Sequence, residues 1–264
     1  MNILCVGDVV GKPGRKAIEC LLKEIVEEYS VDFIIVNAEN SAGGAGLTPR
    51  IAKALLQYGC NVLTLGDHVW DQKELEEYLQ EADSVIRPAN IPSEAPGKGW
   101  CIKTTKSGIK VGVVNLLGRV FMRHLVACPF LTLKKIVQEI RQETPIIIVD
   151  MHAETTSEKV AIGHFIDGNV SVVFGTHTHI QTADEKILPG KTAYITDLGM
   201  TGPYDSVIGQ NKDVIIKKFL TTMPIRFNVA QGEVKLSGIV VDVDELTGNA
   251  NKIQRIQKLL LEKI

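Results

Sequence analysis

The chain has 264 residues, enough to bury a sizeable hydrophobic core without disulfides or a structural zinc. Its composition, 45% hydrophobic and 23% charged, is ordinary for a folded protein, and a formal net charge of -2 gives no general attraction to nucleic acid or anionic membranes. Five scattered cysteines without a C-x-x-C pair argue against a disulfide framework or a cysteine zinc site, and no stretch approaches the roughly 18 apolar residues of a membrane span. The segment after Met1 lacks the basic and long apolar regions of a leader, so a cytoplasmic protein with no membrane partner is expected.

In chain order, short β-branched runs alternate with helix-length amphipathic segments. Ile3–Gly7 reads as a strand and Arg15–Tyr29 as a helix; Phe33–Asn37 is a strand and Pro49–Tyr58 a helix. Val62–Leu65 is followed by helical spacing over Asp71–Gln80, and Lys110–Asn115 by helical spacing over Leu131–Gln142. Ile146–Val149, Ser171–Phe174 and Thr192–Thr196 are further strands whose continuous apolar runs suit burial on both faces. Pro224–Val229 and Glu233–Asp244 predict an antiparallel hairpin turning at Gln231–Gly232, and Lys252–Ile264 predicts an amphipathic terminal helix. Pro88–Gly99 reads as an ordered loop beside a site rather than a boundary, so a single layered α/β domain over residues 1–264 is expected.

The metal-capable side chains fall at strand ends. Asp8 follows the first strand, Glu39 and Asn40 the second, and Asp67 and His68 the third. His152 follows Ile146–Val149, and His177 and His179 follow Ser171–Phe174. In open α/β sheets the carboxyl ends of strands line the ligand crevice, so these groups are expected along one edge. An Asp after a strand is ordinarily a helix cap or turn former, but coincidence at five strand ends points to chemistry. His124 and His164 stand alone and read as surface or packing residues. The glycine-rich Gly7–Gly14 stretch lacks the G-x-x-x-x-G-K-[ST] spacing, with Pro13 where a hydroxyl is needed, so it is not a phosphate loop of that kind. Mixed imidazole and carboxylate donors favour transition metals, and their number suggests two ions sharing a carboxylate.

The strings Gly7-Asp8, Gly66-Asp67-His68 and Gly175-Thr176-His177-Thr178-His179, in that order, resemble the calcineurin-like metallophosphoesterases. Asn37-Ala38-Glu39-Asn40, Arg87-Pro88-Ala89-Asn90, Asp150-Met151-His152-Ala153-Glu154 and Asp197–Pro203 narrow the resemblance to the bacterial YmdB family. The resemblance implies layered mixed β-sheets flanked by helices and a phosphodiesterase acting on 2′,3′-cyclic nucleotides, with 3′,5′-cyclic nucleotides or other phosphodiesters as further candidates. Broad phosphomonoesterase activity, or a low-turnover regulatory protein binding nucleotide or RNA machinery, are the alternatives. Two divalent or mixed-valence ions are implied, iron first and manganese or zinc next, together with a homo-oligomer and an RNA-processing protein partner. Carried over, Asp8, Glu39, Asn40 and His179 would hold one ion. Glu39 would bridge to a second held by Asp67, His152 and His177, and His68 would protonate the leaving oxygen after attack by a metal-bridged hydroxide. The wider superfamily has His where Val10 stands, a loss that Asn40 compensates. Position 67 is usually Asn in the family, so ionised Asp67 lowers the formal charge of the site by one. Asp71 and Glu154 are candidates to orient a histidine, and Arg87, Asn90 and Arg119 to contact substrate.

Overall fold

The computed structural model describes residues 1–261. The chain opens with β1 (Asn2–Val6), β2 (Asp8–Val9), α1 (Gly11–Tyr29), β3 (Val31–Asn37) and α2 (Pro49–Gln57). It continues through β4 (Val62–Thr64), α3 (Leu75–Glu81), β5 (Val85–Ile86), β6 (Trp100–Thr104) and β7 (Lys110–Leu117). Next come α4 (Pro129–Ile140), β8 (Ile147–His152), α5 (Thr156–Ile166), β9 (Val172–Thr176) and β10 (Lys186–Ile187). The last elements are β11 (Ala193–Ile195), β12 (Met200–Pro203), α6 (Lys212–Thr221), β13 (Val234–Val243) and β14 (Ala250–Leu259).

Two mixed sheets stack between helices. The first has the order β2–β12–β13–β1–β3–β4–β5, with β14 added to β13; the second runs β10–β11–β9–β8–β7–β6. Strands β1, β3, β4 and β5 are parallel, as are β7, β8, β9 and β11. Alternation along β1 shows how the layers form. Ile3 and Cys5 point into the core between the sheets, while Leu4 and Val6 join Ile18, Leu22 and Ile25 of α1 on the outer face. The second sheet does the same, with Ile146 and Ile148 inward and Ile147 and Val149 packed with Leu133, Ile140 and Ile162 under α4 and α5. The result is the layered helix–sheet–sheet–helix arrangement that the burial of both strand faces demands. Among the described residues no helix is long and apolar enough to cross a membrane.

Two expectations fail at the C-terminal end. Lys252–Leu259 lies in strand β14 rather than a helix, and residues 262–264 lie outside the described residues. Ile253 packs on the core between the sheets and Ile256 on the core under α1. Three residues apart on a strand means opposite faces, whereas on a helix it would mean one face. The partner of β13 is accordingly β14, reached through a turn in which the Asp244 carboxylate accepts from the Leu246 and Thr247 amides. Pro224–Val229 is irregular and contributes only a bridge from Val229 to Gln210.

Candidate metal centre

The strand ends expected on one sheet edge come from two sheets. Asp8 opens β2 immediately after β1, Glu39 and Asn40 follow β3, and Asp67 and His68 follow β4, all in the first sheet. His152 closes β8 and His177 and His179 follow β9, in the second. The glycines in the ligand strings have a steric reason. A Cβ on Gly66 would run into the Glu39 carboxylate and the His152 ring, and one on Gly7 into the Gly199 carbonyl.

Glu39, fully buried, lies at the centre of the cluster. Its Oε1 is 3.1 Å from His152 Nε2 and accepts from Asn40 Nδ2 at 3.1 Å. Asp67 Oδ1 sits 3.2 Å from His152 Nε2 and 3.3 Å from His177 Nδ1. On the other side Asn40 Nδ2 is 3.1 Å from His179 Nε2, and His179 Nε2 is 3.8 Å from Asp8 Oδ1. Glu39, Asp67, His152 and His177 thus offer ligand atoms within 4.8 Å of one another, a set that could hold a metal ion. Asp8, Asn40 and His179 form a second group against the same glutamate.

The outer nitrogens of the histidines test whether the inner ones are ligands. His179 Nδ1 faces the Ile208 carbonyl at 2.9 Å, which can only accept, so the lone pair lies on Nε2. His177 Nε2 faces Glu154 at 3.0 Å, leaving the lone pair on Nδ1. The Thr176 hydroxyl donates to Asp150 at 2.6 Å and therefore accepts from His152 Nδ1 at 2.9 Å, freeing Nε2. The freed nitrogens of His152 and His177 lie 3.1 Å apart, aimed at the same carboxylate oxygen. Fixed outer partners and convergent inner lone pairs fit transition-metal ligation. His177 and His179 reach these positions at φ 91° and 63°, a left-handed backbone costing about 1–3 kcal/mol for each non-glycine residue. The strain is held by the His177 amide donating to Asp8, and by Thr178, whose amide and hydroxyl donate to the buried Asp197.

Residues 4–256 match the YmdB-like protein family. The chain belongs to that family. Membership makes it a phosphoesterase, as the sequence strings imply. It is 47% identical over 256 residues to the 2′,3′-cyclic-nucleotide 2′-phosphodiesterase of Bacillus subtilis strain 168, covering 97% of this chain and 96% of the relative. A crystal structure described as a novel phosphatase from Mycoplasma pneumoniae superposes with a TM-score of 0.91 at 35% identity, covering 98% of this chain and 93% of that one. A hypothetical protein from Thermus thermophilus gives the same TM-score at 37% identity, covering 98% and 99%. The layered mixed sheets are those of the calcineurin-like fold.

Electrostatics in this YmdB-like protein follow from crowding charges in a buried place. Burial and the carboxylates Asp197 and Glu39 raise the Asp8 pKa, against the opposing pull of His179 and His152. Burial also works to raise Asp67, but the His152 and His177 imidazoles set against Oδ1 hold it well below the ordinary carboxylate range. Burial favours a neutral His152; the charge of Glu39 and hydrogen bonds to Asp67 and Glu39 outweigh it and raise the imidazole well above its usual value.

His68 lines the cleft beside the cluster, with Nδ1 2.7 Å from Asp71 Oδ2 and its amide donating to Glu39 at 3.3 Å. Asp71 and Glu154 thus both sit against the imidazoles they were expected to orient. Arg87 and Asn90 are buried and used elsewhere. Arg87 donates to the carbonyls of Pro88, Pro92, Ala95 and Pro96, and Asn90 to those of Leu117 and Ala127, so both hold the loop and not a substrate. The Arg119 amide, with that of Val120, is tied to Glu158.

Near the centre, Arg123 escapes the sequence reading, and His124, expected as a surface or packing residue, is found against Asp67. Arg123 places Nε 3.3 Å from Asp67 Oδ2, and its Nη2 donates to the Asp67 carbonyl at 2.6 Å and to Asp71 at 3.3 Å. His124 donates from Nε2 to the same carbonyl at 2.7 Å. Both lie on the loop between β7 and α4, away from any strand-end string, and the only signal is an adjacent Arg-His pair. Lys159 is a further case: fully buried, it pairs with Asp197 at 2.7 Å under the His177–His179 turn.

Proposed function

We propose that this YmdB-like protein hydrolyses 2′,3′-cyclic nucleotides at a centre of two transition-metal ions, cleaving the P–O2′ bond. The observation that carries the reading is the convergence of three tautomer-fixed histidines on carboxylates sharing Glu39, beside a cleft lined by His68. The activity of the Bacillus relative supplies the substrate class. Asp8, Glu39, Asn40 and His179 would hold one ion, and Glu39, Asp67, His152 and His177 the other. Mixed imidazole and carboxylate donors suit transition metals, and the family resemblance puts iron first, with manganese or zinc next. When bound, the ions supply Lewis acidity toward the phosphoryl oxygens and activation of water.

The remaining work falls to side chains. His68, its Nδ1–H held by Asp71, presents Nε2 as the proton donor to the departing ribose O2′. With Nδ1 protonated, the Arg123 guanidinium 3.1 Å away is a contact rather than a donor to that ring; it anchors Asp71 and offsets the charge of Asp67. Adenosine 2′,3′-cyclic monophosphate and bis-p-nitrophenyl phosphate, assayed with added iron, manganese or zinc, test the reading, and 3′,5′-cyclic AMP sets its limits. Hydrolysis of the 2′,3′-cyclic ester to the 3′-monophosphate is expected, and its loss in His68→Ala. No His68-dependent turnover with any of the three metals contradicts it.

A further inference from the structure

The cleft at the metal centre is one of two cavities that meet. The first, about 630 Å³, contains His68, His177 and His179 together with Lys218, Phe219 and Phe227. The second, about 780 Å³, is lined by Lys12, Lys16, Arg226 and again Phe227. Gly43 and Phe227 border both, so the two form one continuous depression. Together they exceed the roughly 300–1,000 Å³ of an ordinary small-ligand site.

Its charge is distributed unevenly. Among the described residues the second cavity is lined by three cations and no carboxylate. Lys16 is partnered by Glu19 at 2.9 Å, whereas among the described residues neither Lys12 nor Arg226 forms an ion pair with a carboxylate. Lys12 also lies in the first turn of the 19-residue α1, whose N-terminus has no side-chain cap and no acidic residue, so the helix dipole adds to the positive potential there. At the junction Lys218 Nζ lies 4.4 Å above the Phe227 ring, a cation and an aromatic face at one point. A cyclic mononucleotide carries a single phosphate, which the metal centre takes. Nothing in it answers the cations beyond Phe227. A chain of nucleotides does, since each upstream linkage brings another anion and another base, and basic grooves with stacking aromatics are how single strands are held.

We propose that the depression receives the 3′ end of an oligoribonucleotide closed as a 2′,3′-cyclic phosphate, with the upstream phosphates on Lys12 and Arg226 and a base on Phe227. This rests on the 2′,3′-cyclic phosphodiesterase reading above. The reaction is the same one. Water adds to phosphorus and gives up a proton to solvent, the P–O2′ bond breaks, O2′ takes a proton from His68, which solvent restores, and the strand is left with a 3′-phosphate and a free 2′-hydroxyl.

The test compares kcat/KM for adenosine 2′,3′-cyclic monophosphate and for a tetraribonucleotide ending in a 2′,3′-cyclic phosphate, in the metal-loaded parent and in Lys12→Ala/Arg226→Ala. In the parent the tetranucleotide is expected to be favoured about tenfold or more. The double variant should lose most of that preference and leave the mononucleotide within about twofold. The salt dependence of tetranucleotide binding should fall by about 0.7 in log–log slope for each contact removed. Equal kcat/KM for the two substrates in the parent, or an equal loss on both in the variant, overturns the inference while leaving the mononucleotide activity standing. Absence of turnover on both substrates overturns the underlying reading instead.

Discussion

Replacing Asp67 by Asn changes the site mainly in charge. An amide oxygen can still face His152 and His177, which now lie 3.2 and 3.3 Å from Oδ1. What disappears is one negative charge beside the reacting phosphate. At about 4 Å and an effective dielectric of about 20, a unit charge is worth about 4 kcal/mol, which sets a ceiling. Arg123 already offsets part of it at 3.3 Å from Oδ2, though with a side chain 49% exposed that pair is worth about 1 kcal/mol or less. Taking about a third of the ceiling, the barrier should fall by roughly 1–2 kcal/mol, an increase in turnover of about 5- to 30-fold. The second ion, deprived of an anionic ligand, should be held more weakly. Turnover of 2′,3′-cyclic AMP at saturating metal, paired with chelator competition for metal affinity, reads both. Arg123→Met should slow the parent more than it slows Asp67→Asn, since the Asp71 contact is lost in both but the offset of the Asp67 charge only in the parent. Unchanged turnover and unchanged affinity in Asp67→Asn refute the reasoning, as does equal slowing by Arg123→Met in both backgrounds.

Other outcomes follow from buried groups. Lys159→Met strands the Asp197 carboxylate in the core under the His177–His179 turn; losing one partner of a buried pair costs about 3–5 kcal/mol, so melting should fall by at least about 6 °C, and an unchanged melting temperature contradicts the role. Metal binding should release protons, because His152, raised well above its ordinary value, must give up its Nε2 proton to an ion. Affinity should therefore rise with pH as that proton becomes easier to remove, and calorimetry in buffers of differing ionisation heat should detect its release; a pH-independent affinity counts against this assignment. Burial pushes the Cys60 thiol up to about 12 and Cys101 up to about 11, while Cys20 is exposed. Iodoacetamide should modify Cys20 first in the folded protein, and equally rapid labelling of Cys60 contradicts the packing.

The site was legible because metal chemistry needs particular residue types, and strand ends put them at recognisable places after β-branched runs. Asp8, Glu39, Asp67, His152 and His177 announce themselves by position alone. The distribution of those strands over two sheets was not legible, since an apolar run buried on both faces looks the same in either sheet. The strand β14 was misread for a related reason. Ile253 and Ile256 fit a helical face by spacing, and only the cores they reach show that they point in opposite directions. Arg123, His124 and Lys159 were illegible because their roles come from tertiary approach: the first two cross from the loop after β7 to Asp67, and the third reaches Asp197 from α5.

The most direct test of the phosphodiesterase centre is the rate of 2′,3′-cyclic AMP hydrolysis by His68→Ala and by the parent at matched metal content. His68 lies next to Asp67 yet has its ring nitrogen committed to Asp71, so its removal should spare the ions and lower kcat by about 10²–10⁴-fold, the usual worth of general acid catalysis. Equal rates for the two proteins at equal metal occupancy contradict the assignment.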